Sequence, residues 1–210
     1  MKNFLKKLDK EWNLKVCAII VFSLIFLVLS KYHSFSWDTY LLNSLVFYFV
    51  LPILVILFIF RDKLKDYGIR VGDWKTSLKW IGIFTGIMVA ITLLSLLFPS
   101  IVDYYGRNYN LSAYLLKLLR YGVYLIGWEF LFRGFMLFGL EKRFGKSAIF
   151  IVLIPFVLLH FGKPEVETLG TILSGVVLGW IALKGRNFWS AWLLHFLTGV
   201  LMYGFANFLV

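Results

Sequence analysis

Glu129 and Arg133 stand four residues apart inside an apolar run that extends from about residue 111 to residue 144. On a helix this spacing puts both side chains on one face, about one turn apart. An ionisable group at membrane depth is costly and normally faces a bundle interior or a wet cavity. The chain therefore has to build an interior around this pair. Two further polar residues, His160 and His195, lie in later apolar segments. The pattern predicts an all-α polytopic transmembrane bundle that brings these side chains together.

The rest of the chain supports a membrane reading. It is 60% hydrophobic with a mean hydropathy of +0.82, too apolar for an ordinary soluble domain. Apolar runs at about 16–30, 41–60, 80–98, 111–144, 147–161, 167–183 and 188–208 predict seven spans, with room for an eighth re-entrant or split element. Residues 1–15 are basic and amphipathic. The run that follows meets Lys31-Tyr32-His33 rather than a small-residue cleavage site, so it reads as an uncleaved anchor. Pro52 predicts a kink in the second span. Gly82, Gly86 and Ala90 in the third, and Gly175 and Gly179 in the sixth, predict close helix approach. Ser112 is a candidate cap for the fourth helix. Trp12, Trp37, Trp74, Trp80 and Trp189 fall near span ends, where interfacial anchors are expected. The single cysteine, Cys17, is expected to pack. No internal repeat or linker divides the chain, so residues 1–210 read as one integral membrane domain, with a catalytic-like core at about 112–208.

The net charge of +11 raises the question of nucleic acid. The distribution argues against it, because the basic residues cluster in short loops between apolar runs. With a cytoplasmic N-terminus, the inside segments hold 16 of the 22 Lys and Arg residues. The outside loops hold only Lys31, Arg107 and Lys163, and Lys117, Arg120 and Arg133 lie within the fourth helix. The expected location is a membrane, crossed several times, with lipid as partner.

Depth follows from a rise of ~1.5 Å per residue. Counted from the nearest inside basic residue, Glu129 lies about 20 Å deep, His160 about 21 Å and His195 about 14 Å. All three fall within a ~30 Å hydrocarbon core, so a common site is geometrically possible. Two mechanisms fit a Glu and two His there. In one, Glu129 and His160 polarise a water that attacks a peptide carbonyl while His195 stabilises the oxyanion. In the other, Glu129, His160 and His195 hold a Zn²⁺ with an open fourth position. The ligands lie on three helices with no short spacing motif, so spacing favours neither. Read singly, Glu129–Arg133 fits a buried ion pair equally well, and each His fits an interhelical hydrogen bond. His33, in an outside loop, reads as solvated. Glu167 is placed either to complement a helix N-terminus or to rim a site.

Taken in order, Glu129-x-x-x-Arg133-Gly134, Phe156-x-x-x-His160 and His195-x-x-x-Gly199, each on its own late helix, resemble the motifs of the CPBP family. This is the CAAX-protease and bacteriocin-processing, or Abi, family of intramembrane proteases. Lys163-Pro164 followed by Glu167 is similar to some bacterial members. The resemblance covers about residues 121–204. Two positions depart from the family pattern. Its first motif usually opens with Glu-Glu, the first Glu being taken as water-activating, and here that position is Trp128. Its last motif usually ends in Asn, which shares oxyanion stabilisation with the His, and here that position is Gly199. Neighbouring helical residues point about 100° apart, so Glu129 needs a local bulge or a rotated helix to take over the lost role.

The resemblance implies a multi-pass endopeptidase of a prokaryotic cell membrane, of glutamic type, formerly classed as metallo, that uses no cofactor and acts on a membrane-anchored peptide or protein. Glu129 and His160 would activate water, His195 would stabilise the oxyanion and Arg133 would orient Glu129. Trp128, Phe156, Glu167 and Gly199 would form the substrate side of the site. The alternative is a catalytically silent relative acting as a transmembrane peptide-binding scaffold or a bacteriocin immunity protein. A transporter fits less well, because the embedded charges are few and no repeat is present.

Overall fold

The computed structural model describes residues 13–33 and 39–210. The basic stretch expected before Asn13, and the anchors Trp12 and Trp37, lie outside the described residues. Helix α1 (Leu14–Tyr32) starts at Asn13, whose side chain accepts the N–H of Val16. Helix α2 (Tyr40–Phe60) is continuous. Pro52 sits in it within a short α stretch, Leu51–Leu54, flanked by π-helical stretches Ser44–Val50 and Val55–Phe60. Proline has no N–H to give to the ladder, and wider π turns on both sides carry the chain past it.

Helix α3 (Trp74–Ser95) begins six residues before the expected start. Asp73 caps it by accepting the N–H of Thr76, and this draws Lys75 and Lys79 into the first turns. The stretch after it, expected as loop, contains a short helix α4 (Pro99–Tyr105), with Pro99 at the position where a missing N–H matters least. Helix α5 (Leu111–Glu129) is capped by Asn110, whose Oδ1 accepts the N–H of Ala113. Ser112, the expected cap, instead donates to that same Oδ1. The helix runs on through a π-helical stretch, Phe130–Phe138, and a last α segment, Gly139–Phe144. Helices α6 (Ala148–Leu158), α7 (Glu165–Gly185) and α8 (Trp189–Phe208) complete the chain.

Among the described residues, six helical runs are long and apolar enough to cross a membrane, against seven spans expected. The fourth and fifth expected spans form one 48-residue run, Leu111–Leu158. That run doubles back at Gly145, which takes φ +55°. The rings of Phe132 and Phe156, on either side of the turn, lie 5.4 Å apart. The fifth expected span is thus only the 11-residue α6, about 16 Å long and too short to cross a ~30 Å core by itself. It ends part-way up the bundle, and His160 lies in the turn that follows.

The doubled-back run is the core. Of its most apolar window 83% is buried, against 17–39% for the other five, which surround it. Every residue from Phe130 to Phe138 is buried. Outward faces carry exposed apolar side chains such as Val21, Leu24, Ile83, Ile87 and Leu173, as suits lipid contact. Gly175 and Gly179 behave as expected. A Cβ on Gly175 would lie 2.5 Å from Leu153, and one on Gly179 would lie 3.1 Å from Ile149. The stripe in α3 does not: nothing lies within 4 Å of a Cβ on Gly82 or Gly86. Small residues permit close approach but do not compel it, and α3 buries Ser77, Ile81, Thr92 and Ser95 instead.

The loops gather as the charge pattern requires. At one end Lys15 pairs with Asp62, Arg186 with Glu141 at 2.5 Å, and Arg70 donates to the carbonyl of Arg186. At the other end Lys163 pairs with Glu167, and Asn207 accepts the N–H groups of Arg107 and Tyr109. The chain is a multi-pass membrane protein with its basic loops collected on one side.

Candidate active site

The site begins where α5 changes winding. Glu129 is the last residue before the π-helical stretch, so the register shift raised above as a condition falls directly after it. Its side chain is fully buried. Oε1 accepts from Arg133 NH1 at 3.1 Å and from His195 Nδ1 at 2.6 Å. Oε2 is buried with no partner among the described residues. Arg133, 1% exposed, also donates to the carbonyl of Gly175 at 3.4 Å and stacks over the Phe156 ring at 4.0 Å. The buried charge pair is thus held by a carbonyl of α7 and a ring of α6 as well as by itself, which is what makes such a pair tolerable.

His195 reaches Glu129 because α8 and α5 pair antiparallel. Trp192 donates to the carbonyl of Gly122 at 2.8 Å, and Tyr114 donates to that of Val200 at 3.0 Å, which sets the register. His160 is placed differently. Its Nδ1 lies 2.7 Å from the carbonyl oxygen of Phe156, and the hydroxyl of Thr168 on α7 holds its own carbonyl at 3.1 Å. A carbonyl can only accept, so Nδ1 carries the proton and the Nε2 lone pair is left free. At His195, Nδ1 is likewise engaged by an oxygen, so both imidazoles offer Nε2.

Phe156 is the hub. Its ring centre lies 4.7 Å from that of His160 and 6.3 Å from those of His195 and Trp128. The structure therefore brings Glu129, Arg133, His160, His195, Phe156 and Trp128 into one cluster. Glu129 is bonded to His195, whereas the sequence reading paired it with His160. Trp128, 8% exposed, is ringed by Tyr48, Tyr124, Phe132, Phe156 and His160, and its indole N–H has no partner among the described residues.

Pro164 occupies the N-cap position of α7, and Glu167 lies in the first turn, where an acidic side chain complements the helix N-terminus. Its Oε1 accepts from Lys163 and from Tyr105, each at 2.7 Å, which ties α7 to α4. Gly199 faces Tyr121: a Cβ there would overlap the phenol ring. Sequence reasoning passed over Tyr121, one of 11 tyrosines, because nothing local distinguishes it. The Glu129 oxygen is in direct hydrogen bond with His195, and the Arg133 cation shares that oxygen. Among the described residues no three His, Cys, Asp or Glu side chains are placed to hold one ion.

Residues 110–201 match the family model described as type II CAAX prenyl endopeptidase, Rce1-like. No curated protein and no solved structure gives a significant match. The matched segment begins at the cap of α5 and contains every residue of the cluster around Phe156. The match spans 92 of the 210 residues, and over that segment the chain is similar to the CPBP, or CAAX protease, family.

Proposed function

We propose that this chain is an intramembrane endopeptidase that hydrolyses a peptide bond of a membrane-anchored peptide or protein by metal-free glutamate–histidine chemistry. The observation that carries this reading is the Glu129–His195 bond at 2.6 Å beside a His160 whose Nε2 is left free.

The attacking water is activated by Glu129 and His160 through the atoms they leave unengaged, Oε2 and Nε2. As its oxygen attacks the scissile carbonyl carbon, its proton passes to His160 Nε2. The carbonyl π electrons move to oxygen, and the oxyanion is met by the Nε2–H of protonated His195. Glu129 orients that ring by holding its other nitrogen, and Arg133 keeps the carboxylate in place. The tetrahedral carbon then re-forms C=O, the C–N bond breaks, and His160 returns the proton to the leaving nitrogen. Burial in the bundle keeps bulk water out and strengthens each of these interactions.

The test is cleavage of an internally quenched, farnesylated CAAX peptide by the purified chain in detergent. His160→Ala lowers the rate at least about 10²-fold while the protein still purifies and melts as wild type does. Equal rates in wild type and H160A would sink the proposal. A second reading, a silent peptide-binding relative, is favoured by Trp128, which fills the expected carboxylate position with a buried ring. It requires that Glu129→Gln leave peptide binding intact and that neither protein cleave.

A further inference from the structure

We infer that the hydroxyl of Tyr121 is a second oxyanion donor of this site. The inference rests on the peptidase reading above and adds to it a residue from a segment that none of the motifs covers.

Helix α8 offers no side chain one turn beyond His195, because that residue is Gly199. The gap is not empty. A Cβ built on Gly199 would overlap Cε1 of Tyr121, and it would lie 2.8 Å from Cζ and 3.0 Å from the hydroxyl oxygen. The phenol from α5 has therefore moved into the space that a side chain on Gly199 would take, and its oxygen lies against the helix that carries His195. The same ring stands edge-on to the imidazole at 6.3 Å between centres. Its other ring contacts are Phe196 at 6.4 Å and Tyr203 at 5.9 Å, and neither ring is a strong acceptor for the hydroxyl proton.

A reacting carbonyl that meets His195 Nε2 must lie near α8, within reach of the next turn of that helix. A tetrahedral oxyanion is best held by more than one preorganised donor. His195 supplies one N–H, and Tyr121 supplies an O–H from a ring held rigid by the glycine cradle. The phenol keeps its proton throughout, so it neither takes nor loses charge and needs no partner to relay one. The glycine and the tyrosine form one device: a larger residue at position 199 would expel the ring, and a smaller one at 121 would leave a hole.

Tyr121→Phe separates chemistry from packing, because it keeps the ring in the cradle and removes only the oxygen. With the quenched farnesylated CAAX peptide, Y121F should lower kcat about 10²-fold and leave KM within about twofold, with an unchanged melting temperature. If Y121F keeps wild-type kcat while H160A is inactive, the peptidase reading stands and Tyr121 is only filler. If Y121F loses activity through a raised KM or a lowered melting temperature, the ring acts by packing and the inference is overturned. If wild type is no faster than H160A, the peptidase reading fails and this inference falls with it.

Discussion

Trp128 is the side chain on which the reading of the site turns. It stands where a carboxylate was expected, and it is packed by five aromatic or imidazole rings. Its N–H makes no bond among the described residues, so removing that N–H removes no interaction. Trp128→Phe should therefore keep peptide cleavage within a few-fold of wild type, at a stability loss of about 1 kcal/mol. Trp128→Glu would place a second, unpaired carboxylate beside Glu129 and leave a cavity, and should destabilise by about 3–5 kcal/mol. Thermal unfolding in detergent, read beside cleavage, checks both. Loss of cleavage in W128F at full stability would make the indole part of the chemistry. Motif spacing located Glu129, Arg133, His160 and His195 and paired the first two, but it could not assign a histidine to Glu129. The oxygen that His195 meets depends on how α5 and α8 are set against each other.

Glycine shows how the same residue type differs between elements. On α5, a Cβ on Gly127 would lie 2.5 Å from Ser44 Oγ and still nearer the Ser44 carbonyl oxygen. That contact lets Ser44 donate to the carbonyl of Tyr124 at 2.6 Å and locks α2 against the core helix. On α3, Gly82 has nothing near it. Gly127→Ala should cost about 1–3 kcal/mol, whereas Gly82→Ala should be neutral or stabilise by up to about 1 kcal/mol. Melting temperatures of the two variants in one detergent decide the matter. A sequence stripe of Gly82, Gly86 and Ala90 looks more like an interface than Gly127 does. Small side chains allow contact on any face, and the choice of face is made by the rest of the bundle.

Across the whole molecule, basic loops meet at one end, and Asp62 is their main acidic counterweight to α1. Burial pushes its carboxyl up, but hydrogen bonds from Lys15 and Tyr67 outweigh this and hold it below its ordinary value of 3.8. A carboxyl lowered by folding stabilises the fold at and above the ordinary carboxylate range. That contribution fades as pH falls from about 4 and is lost below the lowered value. Thermal stability should therefore drop on acidification through that range, and Asp62→Asn should be less stable at neutral pH with a flatter acid limb. Melting curves between pH 3 and pH 7 test this, and an unchanged acid limb in D62N would place the responsible carboxylate elsewhere. The location of the basic loops was legible from charge counts alone, because orientation in a membrane depends on loop charge and not on packing.

Hydrophobic runs and basic loops determined the all-helical membrane bundle and six of its expected spans, since a bilayer imposes length and polarity on each segment separately. The sequence also named the four polar side chains of the site, because a charge or imidazole inside an apolar run has to be used. The tertiary structure alone decided that α6 stops short and leaves His160 in a turn, and that Glu129 faces His195. It also decided that Tyr121 fills the cradle of Gly199. Two of these are contacts between residues 66 and 78 positions apart, and the third is a helix end that no local pattern sets. Packing of one helix on another selects them, and single-segment periodicity carries no information about that choice.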